Sequence, residues 1–188
     1  MKELIPAVDR NILKQELNDD TFIRKTRKGD NEIYIVNANN SPNTINEIGR
    51  LREITFRQAG GGTGESLDVD DYDFGPFCYD QLIVWSPEDN EIVGGYRFIC
   101  CSKAMDTSNN KIHLSTSNYF HFTDNFINQY LPHTIELGRS WIQPNFQGTT
   151  NPRKGLFALD NIWDGLGSLI SLNPSIKYFF GKVTMYPS

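Results

Sequence analysis

Charged residues interrupt two of the most apolar segments of this sequence. Arg97 lies inside Ile-Val-Gly-Gly-Tyr-Arg-Phe, and Glu136 and Arg139 lie inside Ile-Glu-Leu-Gly-Arg. Five acidic residues fall between positions 65 and 73. Charges in buried strands are costly unless they are paired or functional. The sequence therefore predicts that these residues form one site.

The composition is typical of a single globular domain that spans residues 1–188. The chain has 188 residues, of which 38% are hydrophobic and 22% are charged, enough for one sizeable core and short for two. No apolar run approaches the roughly 18 residues of a membrane span. The N-terminal residues lack the apolar core of a secretion signal, which predicts a cytoplasmic protein.

The net charge of −5 is unevenly distributed. Residues 61–132 carry 3 basic and 11 acidic side chains, whereas the flanking parts are close to neutral. An acidic middle third argues against a nucleic-acid partner and suits a cationic substrate such as an amine. The three histidines are dispersed, and the adjacent Cys100 and Cys101 end a predicted strand. No metal site is expected, and the cysteines are interpreted as buried small side chains.

The order of predicted elements indicates an α/β (α+β) fold. Two strands, 79–86 and 91–101, form the clearest hairpin, so the sheet has an antiparallel centre. A helix crosses between the last two strands. The remaining predicted elements are helices over 8–18, 41–58, 122–130 and 156–172, and strands over 32–37, 133–142 and 176–185.

The helix over 41–58 is expected to begin at Ser41 as N-cap, with Pro42 at the first helical position. Ile48, Arg52 and Phe56 share one of its faces. Arg52 therefore either extends along the core edge to solvent or reaches an internal carboxylate, and the spacing does not choose between the two. The glycine-rich segment that follows, up to Asp73, is interpreted as a long, partly mobile surface loop.

Two further expectations concern side-chain direction. Glu136 and Arg139 are three positions apart and would face opposite sides of a regular strand. A β-bulge at Gly138 would bring both to one site. In the helix over 156–172, an inward apolar face is predicted from the spacing of Leu156, Leu159, Trp163, Leu166 and Ile170.

Several of these residues resemble a known family signature. The pattern Arg52-x-x-x-Phe56, Asp70-x-x-Asp73, Arg97 after Val-Gly-Gly, and Glu136-x-x-Arg139 resembles that of the acyl-homoserine-lactone synthases. The wider match, from Glu47 to Gly62 and from Leu159 to Leu166, is closer to the N-acyltransferases of ornithine- and glycine-lipid synthesis, often labelled putative haemolysins. Both groups have the GNAT acyltransferase fold. The family continues past the last predicted strand, so the chain is expected to lack its C-terminal part.

The resemblance implies transfer of a (3-hydroxy)fatty acyl group from an acyl carrier protein thioester to the amine of glycine or ornithine. In this interpretation Glu136 is the catalytic base or organises a water molecule. Asp70 and Asp73 either hold the amine side or organise the loop through Arg52 and Arg97. Arg52, Arg97 and Arg139 form an ion-pair network that supports the amine pocket, and Phe56 is a further substrate-binding residue. The alternatives are that Glu136 only pairs with Arg97 or Arg139, and that the acidic run is a solvated loop.

The donor side is placed at the start of the last helix. A helix N-terminus binds anions, and Arg153, Lys154 and Gly155 would receive the phosphopantetheine there, with Trp141 in the acyl pocket. An ordinary helix start with solvated basic residues and plain core aromatics is the alternative. No tightly bound cofactor is expected. Acyl carrier protein is favoured because the glycine-rich loop of coenzyme A users is absent.

The resemblance leads to three hypotheses about function. The first is an aminolipid N-acyltransferase, with possible peripheral contact to the inner membrane. The second is an autoinducer synthase that uses S-adenosylmethionine. The third is a membrane-active, haemolysin-like protein, for which the sequence offers neither a basic amphipathic helix nor an apolar span.

Overall fold

The computed structural model describes residues 1–106, 108–109, 111–148 and 152–183. Within these residues one sheet has six strands in the order β1-β2-β3-β4-β7-β8. Only β7 and β8 are parallel, and α3 connects them. The α/β prediction with an antiparallel centre is confirmed. The elements are α1 (Arg10–Glu16), β1 (Phe22–Lys25), β2 (Glu32–Val36), α2 (Pro42–Gln58), β3 (Asp80–Ser86), β4 (Glu91–Cys100), β5 (Met105–Asp106), β6 (Lys111–Ile112), β7 (Thr134–Ile142), α3 (Pro152–Leu172) and β8 (Tyr178–Phe180).

Helices cover both faces of the sheet. Leu82 and Val84 of β3 belong to the core beneath α3, whereas the alternate residues Ile83 and Trp85 belong to the core beneath α1 and α2. A strand buried on both faces reads as a continuous apolar run, which explains why β3 was predictable. Cys100 and Cys101 are buried, as predicted.

The segment between β4 and β7 has little regular structure. It contains the short pair β5–β6 and a 3₁₀ turn over Ser115–Asn118. The helix predicted over 122–130 is reduced to a π-helical segment, Phe126–Tyr130. The strand predicted over 176–185 is observed over three residues, and its last two positions lie outside the described residues.

The first turn of α2 is capped by another helix. Ser41 occupies the N-cap position but its side chain makes no capping hydrogen bond. Instead, the carboxylate of Glu16 at the end of α1 accepts from the backbone N–H of Asn43 at 3.1 Å and of Thr44 at 2.7 Å. Burial opposes ionisation of Glu16, but these hydrogen bonds together lower its pKa. The negative charge of Glu16 also interacts favourably with the helix dipole at the N-terminus of α2. The hydrogen bonds from Asn43 and Thr44 to Glu16 attach α1 to α2.

The predicted inward face of α3 is wrong. Of its five members only Leu166 is buried, and the other four are exposed. The apolar residues of the buried face are instead Ala158, Ile162, Leu166 and Leu169, and the polar Asn161 and Ser168 are buried beside them. A Cβ at Gly165 would lie 2.4 Å from Leu82 Cδ2, so the missing side chain permits close packing on the sheet. Among the described residues, no helix is long and apolar enough to cross a membrane.

The glycine-rich segment after α2 is attached to the helix, not an independent surface loop. The carboxylate of Glu53, fully buried in α2, accepts from Thr63 N–H at 2.9 Å, Thr63 Oγ1 at 2.7 Å and Gly64 N–H at 2.8 Å. Farther along, Asp68 and Asp73 are each 1% exposed. The expectation of a solvated acidic loop is therefore wrong for these two acids.

Replacement of Glu53 by glutamine should reduce stability in a pH-dependent way. Burial opposes ionisation of Glu53, but hydrogen bonds from Thr63, Arg57 and Gly64 lower its pKa from 4.5 to about 2. Because the folded-state pKa is depressed, the stabilisation is complete above pH 4.5 and is lost as the pH falls toward 2. Urea unfolding of both proteins at pH 7, 4 and 3 tests this. A stability difference that stays constant with pH would contradict it.

Candidate active site

A β-bulge in β7 determines how charged side chains are presented. Gly95 of β4 pairs with Trp141, and Arg97 pairs with Gly138, so two steps on β4 correspond to three on β7. The extra residue lies at Arg139–Ser140, and Arg139 has a φ of +49°. The predicted bulge is therefore present, but Arg139 takes the left-handed conformation rather than Gly138.

The bulge brings Arg139 into a cluster of three arginines and three aspartates, here called the ion cluster: Arg52, Arg97, Arg139, Asp68, Asp70 and Asp73. Arg52, fully buried, lies 3.0 Å from Asp73 Oδ2 through Nη2 and 3.3 Å from Asp68 Oδ2 through Nε. The Arg97 Nη1 atom lies 2.5 Å from Asp70 Oδ1 and 3.1 Å from Asp73 Oδ2. The predicted network is confirmed, and Arg52 reaches internal carboxylates.

The aspartates of the ion cluster differ in their surroundings. The Arg139 Nη2 atom lies 3.1 Å from both Asp68 Oδ1 and Asp70 Oδ2. Burial raises the pKa of Asp68, which receives no well-aligned side-chain hydrogen bond. Burial also opposes ionisation of Asp70, but Arg97 and Arg139 lower its pKa overall. Asp70 is therefore the more firmly ionised of the two.

Loop geometry fixes the third aspartate. Asp70 and Asp73 cap a single 3₁₀ turn reciprocally, with the Asp70 N–H donating to Asp73 Oδ2 at 2.9 Å. Gln81 of β3 donates from Nε2 to Asp73 Oδ1 at 2.9 Å. The spacing Asp70-x-x-Asp73 is thus a capping-box spacing that attaches the loop to the sheet.

Glu136 belongs to a second cluster, here called the hydroxyl cluster: Glu136, Ser115 and Thr116. Its carboxylate is 1% exposed and accepts from Thr116 Oγ1 at 2.8 Å and from the Ser115 hydroxyl. In the described part of the chain it has no cationic partner. The alternative in which Glu136 only pairs with Arg97 or Arg139 is therefore not observed, and neither is a single site that joins Glu136 to Arg139.

Tyr79 lies between the two clusters. Its ring centroid is 5.2 Å from Arg97 Cζ, and its hydroxyl accepts from the Ser115 N–H at 2.8 Å. Burial, followed by the charge of Glu136, raises the pKa of Tyr79, so the phenol stays protonated. The ion cluster and the hydroxyl cluster are therefore neighbours linked through one aromatic ring.

A groove opens where β7 and β8 stop pairing. The two strands pair only from Thr134 to Glu136, opposite Tyr178 to Phe180. Beyond that point lies a groove of about 320 Å³ lined mainly by apolar surface, with Arg139 at its charged side. Its other lining residues are Tyr96, Leu137, Gly138, Ser140, Phe179, Phe180, Gly181, Lys182 and Val183. Arg139 is common to the groove and the ion cluster.

Three of the predicted donor residues, Trp141, Lys154 and Gly155, do not line the groove. Trp141 is 3% exposed and packs in the core beneath α2. Lys154 pairs with Asp89 and lies 5.3 Å from the Phe146 ring centroid. A Cβ at Gly155 would lie 2.4 Å from the Gly148 backbone nitrogen, so the start of α3 requires glycine there. The side chain of Arg153 lies outside the described residues.

The remaining predicted substrate-binding residue, Phe56, is half-buried and packs against the core beneath α2. In the described ranges, no three His, Cys, Asp or Glu side chains are arranged to hold a metal ion.

Comparison with known proteins identifies the family. The family model described as "Acetyltransferase (GNAT) domain" matches residues 51–154, more than half of the chain. The chain belongs to the GNAT acyltransferase family. The match covers the second half of α2, the ion cluster, the hydroxyl cluster and the start of α3. No solved structure matches this GNAT chain.

Two curated relatives are similar over the whole of this GNAT chain. Both are named "Glycine N(alpha)-acyltransferase": one from Bacteroides thetaiotaomicron is 54% identical over 188 residues, and one from Phocaeicola vulgatus is 50% identical over 188 residues. The chain covers 56% and 58% of their respective lengths.

Sequence reasoning missed three contributors to this GNAT site: Tyr79, Ser115 and Thr116. Ser115 and Thr116 lie in a segment that looked polar and irregular, 20 or more residues before Glu136. The available signal was the carboxylate of Glu136 in an apolar strand, because a buried carboxylate needs hydrogen-bond donors from somewhere in the chain.

Proposed function

We propose that the full-length protein containing this chain transfers a fatty acyl group from a thioester to the amino group of glycine. The observation that carries the proposal is the groove beside β7. Most of its lining is apolar, and one of its lining residues, Arg139, belongs to the ion cluster. An acyl chain needs apolar surface, and an amino acid needs charged partners. The names of the two relatives support glycine over ornithine as the acceptor.

The unpaired edge of β7 would hold the thioester donor. Past Glu136 this strand has no described partner on the β8 side. An exposed strand edge offers backbone N–H and C=O groups to an extended chain. The amide-containing pantetheine arm and the adjoining acyl carbonyl would bind there, and the same N–H groups would stabilise the oxyanion.

The proposed chemistry assigns the proton to the hydroxyl cluster. The ammonium of glycine loses a proton to the base, and its nitrogen attacks the thioester carbon. The carbon–sulfur bond then breaks, and the second proton lost from the nitrogen goes to the departing sulfur to give a thiol. Glu136 is the proposed base. Ser115 is half-buried whereas Thr116 is 2% exposed, so the Ser115 hydroxyl is the accessible member that would relay the proton.

The donor carrier is proposed to be acyl carrier protein, and the product an aminolipid precursor. Arg153, Lys154 and Gly155 at the start of α3 stay the proposed donor contacts, with Lys154 exchanging its partner Asp89 for a phosphate. Peripheral membrane contact stays a prediction, for which exposed Leu156, Leu159 and Trp163 of α3 are candidate residues.

An assay of the full-length protein tests this function. Purified protein is incubated with acyl carrier protein thioesters or with acyl coenzyme A, together with glycine, ornithine or S-adenosylmethionine, and products are identified by mass spectrometry. N-acylglycine with release of one thiol per product is expected, faster with the carrier protein. Lactone formation, or no acylated amine with any pair, would overturn the proposal.

A further inference from the structure

Only two members of the ion cluster reach solvent. Arg52, Asp68, Asp73 and Arg97 are between 0% and 4% exposed, whereas the side chains of Asp70 and Arg139 are 33% and 31% exposed. These two have opposite charge, and Arg139 Nη2 lies 3.1 Å from Asp70 Oδ2. The accessible part of the cluster is therefore one anion beside one cation.

We propose that Asp70 and Arg139 bind the acceptor amino acid as a zwitterion, with Arg139 holding its carboxylate and Asp70 its ammonium group. The inference rests on the proposed function, and it names which charge recognises which end of the acceptor. The four buried members of the cluster then support this pair and do not contact the acceptor.

The conformation of Arg139 supports a binding role. A non-glycine residue at positive φ is strained, and such strain is concentrated at functional sites. The bulge places Arg139 simultaneously in the ion cluster and along the groove. A regular strand would have placed it on the opposite face.

The hydrogen bonding of Arg139 leaves capacity for a ligand. Its two ion pairs, with Asp68 and Asp70, both use Nη2, and among the described residues Nη1 has no acceptor. A guanidinium presents five N–H donors in a planar fork that matches a carboxylate. A ligand carboxylate would satisfy donors that the protein itself leaves unused.

Asp70 is suited to the ammonium group. Because Arg97 and Arg139 favour its ionised form, it carries a negative charge at neutral pH. Arg97 continues to hold its Oδ1 atom when Oδ2 turns to a ligand. Binding a zwitterion replaces one protein ion pair by two protein–ligand pairs and leaves the total charge unchanged. A simple amine would leave Arg139 without a new partner.

Comparison of glycine with glycinamide tests the proposal, since glycinamide has the same amine and no carboxylate. We expect full-length wild-type protein to prefer glycine by about 100-fold in kcat/KM, because a site built for a charged group rejects an analogue that lacks it. In Arg139→Gln this preference should fall to a few-fold, through loss of activity with glycine and a higher KM for glycine.

Glycolate supplies the complementary measurement, because it has the carboxylate and no ammonium group. It should inhibit wild type competitively against glycine, and Asp70→Asn at least as strongly because that variant removes the carboxylate that competes for Arg139. It should inhibit Arg139→Gln at least 10-fold more weakly. Arg139→Lys, which keeps the charge without the fork, should be intermediate.

Three results would overturn the proposal. They are equal use of glycine and glycinamide by the wild type, an equal loss with both substrates in Arg139→Gln, and unaltered glycolate inhibition in that variant. The first needs no variant, so a folding defect cannot obscure it. If the wild type acylates no amine at all, the proposed function itself fails, which is a different outcome.

Discussion

Replacing Arg52 by methionine should lower the free energy of unfolding by about 3–5 kcal/mol, because removing one partner of a buried ion pair leaves the other charge uncompensated. Arg52 is fully buried and holds both Asp68 and Asp73. Methionine preserves much of the volume of arginine, so the decrease in the free energy of unfolding reflects the lost charge and not a cavity. Urea unfolding monitored by circular dichroism measures it.

The control for Arg52 is an exposed ion pair. Lys28 lies 3.3 Å from Asp160, and both side chains are more than half exposed. Lys28→Ala should change the unfolding free energy by less than about 0.5 kcal/mol. If Arg52→Met costs no more than Lys28→Ala, the ion cluster does not stabilise the fold.

Replacing Glu136 by glutamine should lower kcat by about 10²–10⁴-fold, which is the usual contribution of a general base. Glutamine keeps an oxygen that accepts from Thr116 or Ser115 but cannot take a proton at neutral pH. The unfolding free energy should therefore change by only about 1 kcal/mol. Initial rates of N-acylglycine formation by the full-length protein, with a parallel unfolding curve, provide the measurement.

Glu32 offers a matched control for Glu136. It is a half-buried strand glutamate in the same sheet, and it accepts from the Tyr34 hydroxyl at 2.8 Å, away from both clusters. Glu32→Gln should leave kcat within about two-fold of wild type. Wild-type turnover by Glu136→Gln would rule out Glu136 as the base.

Local patterns predicted the elements that make the framework. The hairpin β3–β4, the strand β7 and the helix α2 carry strong periodicity and turn signals, and all were found. Strand β1 was missed because its four residues include Arg24 and Lys25. Arg24 is accommodated there by Asp164 and Ser168 of α3, some 140 residues away, and no local pattern encodes such a contact.

For the candidate site, too, local patterns predicted some features, and contacts between distant residues determine the others. Charges in apolar strands indicated a site, and the arginines and aspartates do meet. The separation of Glu136 from Arg139 was not predictable, because it depends on Tyr79 lying between the clusters and on hydroxyls delivered by an irregular segment. Strand alternation also could not give the position of the bulge.

The ion cluster has a consequence for natural variation. Its three positive and three negative groups sum to zero, and Arg52, Arg97, Asp68 and Asp73 are buried, so a neutral replacement of any one of these four leaves one unbalanced buried charge. Substitutions at these positions are therefore expected to accumulate as compensating pairs of opposite sign. Relatives that have lost the arginine at position 52 should also have lost an aspartate at 68 or 73, with apolar residues in both places.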